Sequence, residues 1–270
     1  MQRTRPKHTF SLSAYRYLRK FVGELTAAAT GNEIALRSTK ERFSQDSKPG
    51  NWSTLGRELG LNVDGLESDR LFVSCSRLHI VSLYSGWDGF VRSLRIDYQK
   101  LFSKDWRHND GDTPFDEIYR NSPMTVEGLK QRIDPSWQAA IEYFRKVRNA
   151  IVHPASSTVH EAEEHFRTHE PDFLTVRQYY GMHSPPNRHE HVTFHDVKLL
   201  ARLLLDVGAG VSESFDPGNT QLMNVVPLQL WNHVKHDKQR YHNKILGYLR
   251  TEFGLEASRA ESIVSQITAL

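Results

Sequence analysis

The chain contains a single cysteine, Cys75, which excludes an internal disulfide and fits a reducing compartment. Cys75 falls on an apolar stripe and reads as a buried small hydrophobe rather than a nucleophile. No apolar run reaches the roughly 18 residues that a membrane-spanning helix needs. The basic opening stretch is interrupted by Tyr15-Arg16-Tyr17-Leu18-Arg19-Lys20, so a signal peptide is not expected and the expected location is cytoplasmic. No internal repeat is visible. Nor is there a large excess of charge: the formal net charge is +3, too small to require an anionic partner. The basic residues are nevertheless uneven. Arg3, Arg5, Lys7, Arg16, Arg19 and Lys20 all precede the first acid, Glu24, an arrangement that serves equally as a phosphate-contacting arm or a solvated terminus.

Helical patterning dominates what is present. At 270 residues, and with about 150 residues per domain, one or two domains are expected, able to bury about 70 to 75% of the unfolded surface. Ser11 and Ser13 are cap candidates for a helix through Ala29, with Gly31 placed to stop it. Ser44 to Asn51, with Lys48-Pro49-Gly50, reads as a loop. Trp52 to Leu61 has a likeness to part of a helix-turn-helix, but Asn62-Val63-Asp64-Gly65 then supplies turn chemistry where a recognition helix is required. From Ser68 to Phe102 the residues Leu71, Cys75, Leu78, Tyr84, Trp87, Val91, Leu94, Tyr98 and Leu101 recur at helical spacing. A helix of that length spans about 50 Å, and Gly86 and Gly89 are placed to bend it.

Polar residues fill Lys104 to Asp134, with turn signals at Asn109-Asp110-Gly111-Asp112 and short helices expected near Phe115 to Arg120 and Thr125 to Gln131. Further on, Val176 to Tyr180 reads as a short strand. Asp196 to Val207 reads as the last core helix, with Gly208-Ala209-Gly210 as its end, followed by helices from Leu228 to Phe253 and Glu256 to Ala269. The tail interleaves Lys235, Lys238, Arg240, Lys244 and Arg250 with Trp231, Tyr241 and Tyr248. That pattern suits single-stranded RNA and a snorkelling amphipathic helix alike.

The stretch with the most chemical content is Phe144-Arg145-Lys146-Val147-Arg148-Asn149-Ala150-Ile151-Val152-His153-Pro154. It ends an apolar repeat of Trp137, Ala140, Ile141, Phe144, Val147 and Ile151, spaced as the core-facing stripe of one helix that opens at Asp134-Pro135-Ser136. Asn149 and His153 stand four apart on one side, and Arg148 is adjacent with a long arm. Pro154 disfavours helical backbone at His153, which places the imidazole at the helix end.

Arg148-Asn149, three residues, then His153 resembles the signature of the HEPN superfamily, all-α domains in which an arginine and a histidine form a metal-independent ribonuclease site. Leu78 to Val91, with Tyr84, Trp87-Asp88 and Gly89-Phe90, is similar to the first core helix of prokaryotic members. The resemblance implies a HEPN-like antiparallel helical bundle over 68–215, with helical extensions at 1–67 and 216–270. It also implies a homodimer whose paired motif helices supply two histidines, and a toxin, stress or anti-phage defence setting with an antitoxin or other regulatory partner. The toxins neutralised by nucleotidyltransferase antitoxins carry a tyrosine two positions after the histidine. Ala155 stands there instead, so control by modification of that tyrosine is not expected.

The chemistry can be argued from the residues themselves. RNA carries its own nucleophile, the 2′-hydroxyl, so cleavage needs a base, an acid for the leaving 5′-oxygen, and positive charge at the phosphate; a metal or other cofactor is dispensable. The ordinary pKa of histidine, about 6.5, suits His153 to proton transfer at neutral pH, an effect that typically contributes about 10² to 10⁴ in rate. Arg148 presents a permanently charged fork to the phosphate. Asn149 is the candidate to hold the imidazole tautomer or the phosphate, Asp88 a supporting group, and Arg145 and Lys146 candidate contacts to an RNA such as a tRNA or mRNA.

Three other readings remain open. His165 and His169, with Glu161, share one helical face at metal-ligand spacing but read as a solvated face. His183, His189, His191 and His195 are close enough in sequence to bind a transition metal. A non-catalytic HEPN-like module that binds RNA, nucleotide or protein is the alternative to the enzyme.

Overall fold

A computed structural model describes residues 9–45, 51–63 and 65–269. The arm residues Arg3, Arg5 and Lys7 and the Lys48-Pro49-Gly50 turn lie outside them. The fold is all-α, with no strand among the described residues. Its α-helices in chain order are α1 Ser13–Gln45, α2 Trp52–Glu58, α3 Ser68–Phe102, α4 Pro114–Asn121, α5 Val126–Arg132, α6 Pro135–Val152, α7 Ser156–Thr168, α8 Glu170–Tyr180, α9 Phe194–Ser214, α10 Gly218–Val225, α11 Lys238–Phe253 and α12 Ala257–Ala269. Short 3-10 segments occupy His189–His191 and Leu228–Val234. No helix among the described residues is long and apolar enough to cross a membrane.

Contacts divide the chain into two compact units, neither of them continuous in sequence. Unit one takes the described part of Met1–Arg19 with Trp87–Asp134 and Leu205–Leu270; unit two takes Lys20–Gly86 and Pro135–Leu204. This grouping follows other lines than the sequential segments 1–67, 68–215 and 216–270. The reason lies in unit one, where the start of the chain packs on its end. Ser11 N–H donates to the Phe253 carbonyl at 2.8 Å, and the Phe10 and Phe253 rings stack at 6.0 Å. Phe10 and Leu12 are each 1% exposed. Trp87, Phe90 and Phe115 form one aromatic group there, and Tyr98, Trp106 and Phe215 another. The buried Glu117 carboxylate accepts from Arg95 at 2.8 Å and from the Trp106 indole at 2.6 Å, which compensates its charge.

In unit two, α6 and α7 run antiparallel, as three links along them show. The Ala139 carbonyl meets His165 Nε2 at 2.9 Å, Lys146 pairs with Glu161 at 3.4 Å, and the Thr158 hydroxyl donates to the His153 carbonyl at 2.6 Å. Tyr143 is fully buried at the centre, its ring against Phe144, Phe166 and Phe173 and its hydroxyl donating to the Asn187 carbonyl at 2.7 Å. Burial pushes the Tyr143 hydroxyl well above its ordinary pKa, so it remains a donor.

The long helix Ser68–Phe102 is present as read, but its N-terminal stripe is displaced. Leu78 is 66% exposed and Cys75 only half-buried, while Ser76 and Ile80 take the buried positions. Gly31 does not stop α1, because Ala27 to Ala29 before it and Glu33, Ala35 and Leu36 after it are good helix formers and a single glycine costs only about 1 kcal/mol. The serine caps are likewise replaced: the buried Asp97 accepts from Ala14 N–H at 2.9 Å and Ser13 Oγ at 2.6 Å, and Ser212 Oγ accepts from Leu12 N–H at 2.7 Å. Gly208-Ala209-Gly210 lies inside α9 instead of ending it. A Cβ on Gly208 would meet Leu18 at 2.8 Å, and one on Gly210 would meet the Arg132 carbonyl oxygen at 2.8 Å, so these glycines permit close packing.

Val176 to Tyr180 is helical, not a strand: Phe173 and Val176, three apart, are buried on one face of α8, and that burial overrides local β preference. The single helix expected over Leu228 to Phe253 is a 3-10 segment followed by α11. The break falls where the Asp237 side chain accepts from Arg240 N–H as an N-cap, and α10 precedes both. The short helices α4 and α5 and the turn at Asn109 to Asp112 lie where expected.

Candidate functional site

The site is built at the C-terminal end of α6. Ala139, Ala140, Ile141, Tyr143, Phe144, Val147 and Ala150 are buried along one broad face of this helix, which fixes its rotation about its own axis. Arg148 and Asn149 are therefore held at the edge of that face, both half-buried, and His153 follows the last helical residue and is exposed.

Arg148 Nη1 donates to Asn149 Oδ1 at 3.0 Å, so the two side chains act as a pair. Their union leaves the Asn149 amide nitrogen and the rest of the guanidinium fork as donors. Arg148 Nε is buried without a hydrogen-bond partner among the described residues, which costs stability and marks the guanidinium as incompletely satisfied. Asn149 was expected to hold the imidazole or the phosphate. Its carboxamide is bonded to Arg148, and it meets His153 through the backbone, where His153 N–H donates to the Asn149 carbonyl at 2.8 Å.

His153 is fixed by its main chain. Its carbonyl accepts from Ala155 N–H at 2.7 Å and from the Thr158 hydroxyl at 2.6 Å, tying the α6–α7 turn into one rigid corner. Thr158 has no role in the sequence reading. The discoverable signal was a hydroxyl four residues after a helix-breaking proline, at the third position of the next helix, where it can bond back to the cap.

Arg145 and Lys146 stand on the same helix, each already paired with an acid. Arg145 donates twice to Glu142 Oε1, at 2.8 and 2.6 Å, and that carboxylate keeps its guanidinium charged beyond the ordinary range. Lys146 pairs with Glu161 at 3.4 Å. Asp88 is half-buried on the part of α3 that belongs to unit one, whereas Arg148, Asn149 and His153 belong to unit two. His165 meets the Ala139 carbonyl and His169 pairs with Asp172 at 2.7 Å, so both have protein partners. The histidines between 183 and 195 do not gather as one ligand set among the described residues; His195 Nε2 lies 3.2 Å from Ser184 Oγ.

Searches of protein-family models, curated proteins and solved structures found no match to this chain.

Proposed function

We propose that this chain is a HEPN-like, metal-independent endoribonuclease acting on RNA such as tRNA or mRNA. In this reading His153 transfers protons at the 2′-hydroxyl and at the leaving 5′-oxygen, Arg148 neutralises the phosphate oxygens, and Asn149 orients Arg148 and offers its amide to the phosphate. The products are a 2′,3′-cyclic phosphate and a 5′-hydroxyl end. One helix supplies one histidine, so two chains with adjacent α6 ends supply an acid and a base together, and the active form is a homodimer. A toxin, stress or anti-phage defence setting with a regulatory partner belongs to the same reading.

The observation that carries it is the half-buried Arg148–Asn149 pair, 3.0 Å apart, beside an exposed imidazole at the end of the same helix. The test is incubation of the purified protein and its His153→Ala variant with total RNA and tRNA in EDTA. Wild type is expected to cleave, and the variant to lose about 10² to 10⁴ in rate while keeping its helix content.

The second reading, a binding module without catalysis, is favoured by a separate feature of unit one. A cavity of about 780 Å³ is lined by Lys235, Lys238, Gln239, Tyr241 and His242 beside the apolar Met223, Leu228 and Ile267, with no acid among the described lining residues. This lining suits a phosphate-bearing ligand. Nucleotide binding that persists in an inactive, folded wild type would favour this second reading.

A further inference from the structure

We infer that Glu163, His189 and Glu190 form a binding site for a divalent transition-metal cation. One ligand atom from each, two carboxylate oxygens and an imidazole nitrogen, all lie within 4.8 Å of one another. Ligands about 2.0 to 2.2 Å from one zinc ion are at most about 4.4 Å apart. A small rotation of the glutamate side chains, both on exposed residues, therefore closes the set.

The ligands come from two elements, Glu163 from α7 and the other two from the 3-10 segment His189–His191, so an ion would tie that segment to the helix. The segment is held at both ends. Asp196, fully buried, accepts from Asn187 N–H at 2.8 Å before it and from Thr193 N–H at 2.8 Å after it, and Tyr143 holds the Asn187 carbonyl. His189 and Glu190 are thus presented toward α7 by a corner that is already fixed. Two carboxylates brought this near to one another repel, and a cation between them converts that repulsion to attraction.

A second observation points to a ligand there. Glu163 and His189 line a cavity of about 380 Å³ together with Tyr143, His160, Arg167 and Arg188, which leaves space for water or a further donor at the ion's open positions. His160 lies three residues before Glu163 on α7, on the same helical face, and lines the same cavity, which makes it the candidate fourth ligand. One nitrogen and two oxygen donors suit zinc or manganese better than calcium or magnesium, which favour all-oxygen shells. Arg188 lies over the Phe166 ring at 5.9 Å, and its charge with that of Arg167 moderates the affinity. The site is separate from Arg148 and His153 and stands whether or not those residues cleave RNA.

The test titrates Zn²⁺ and Mn²⁺, each alone, into the chelator-stripped full chain and into Glu163→Gln, Glu190→Gln and His189→Ala, by calorimetry and by thermal melting. One equivalent is expected to bind wild type, with affinity at least about tenfold lower in each variant. The metal is expected to raise the melting midpoint of wild type by more than that of each variant at the same metal concentration. The two glutamine variants keep the side-chain shape at exposed positions, which separates loss of a ligand from loss of folding. Absence of stoichiometric binding, equal binding by all three variants, or binding abolished only by replacing His183 or His195 would overturn the assignment.

Discussion

Arg148 and Thr158 act on the candidate chemistry through different links, and substitution separates them. Arg148→Lys keeps the charge but loses the planar fork and its bond to Asn149, so it is expected to behave nearly as Arg148→Ala. Rescue of full activity by lysine would contradict a bidentate role. Thr158→Val removes a hydroxyl that fixes the His153 carbonyl at 2.6 Å, a hydrogen bond worth about 1 kcal/mol net. As a positioning residue, its loss is expected to lower kcat by up to about tenfold with the pH profile unmoved; a shifted profile would mean that it contacts the reacting groups.

His165 gives a pH prediction for the fold rather than for the chemistry. Burial lowers its pKa, outweighing the Ala139 carbonyl that favours the charged form. The folded value lies below the unfolded one of about 6.5, so the stability linked to the neutral ring is present above that pH and is lost as pH falls through the folded value. The urea midpoint is therefore expected to drop between pH 7 and 5, with a smaller drop in His165→Gln. An unchanged drop would leave His79, shifted downward by burial in the same way, as the responsible group.

At the scale of the elements, glycines and caps show what the sequence disclosed and what it hid. Periodicity located α3, α6 and the core part of α9, because a stripe of apolar residues at helical spacing is itself the packing instruction. Helix ends were less legible. Gly31 sits inside α1 with nothing near its missing Cβ, whereas Gly210 faces the Arg132 carbonyl oxygen at 2.8 Å. Single-sequence reading cannot distinguish these cases, since both look like stops. Gly31→Ala is expected to stabilise by about 0.5 to 1 kcal/mol, and Gly210→Ala to destabilise by about 1 to 3 kcal/mol. Denaturation midpoints of the two variants moving in the same direction would contradict the assigned roles. The cap of α1 was hidden for a different reason: Asp97 lies 83 residues from Ala14, so no local motif announces it. At the candidate site, the Arg148–Asn149–His153 spacing was visible, but the Thr158 bond and the Glu161 partner of Lys146 depend on how α7 packs on α6.

At the scale of the whole molecule, the central stretch 68–215 resembles a minimal bundle in sequence, but the core of unit one draws on both chain ends. Phe10 and Leu12 are each 1% exposed, and each such side chain contributes about 1.5 to 3 kcal/mol by burial. A fragment limited to 68–215 is expected to melt without a cooperative transition, whereas the full chain melts cooperatively. A stable, cooperative fragment would show that the ends are accessory. The catalytic proposal makes its own demand at this scale, a homodimer in solution. The most direct measurement of the central claim is the mapping of RNA ends after incubation in EDTA with wild type and with Arg148→Ala/His153→Ala. Wild type alone leaving 2′,3′-cyclic phosphate and 5′-hydroxyl ends is the expected result. Equal cleavage by both proteins, or cleavage that requires a divalent metal, would contradict it.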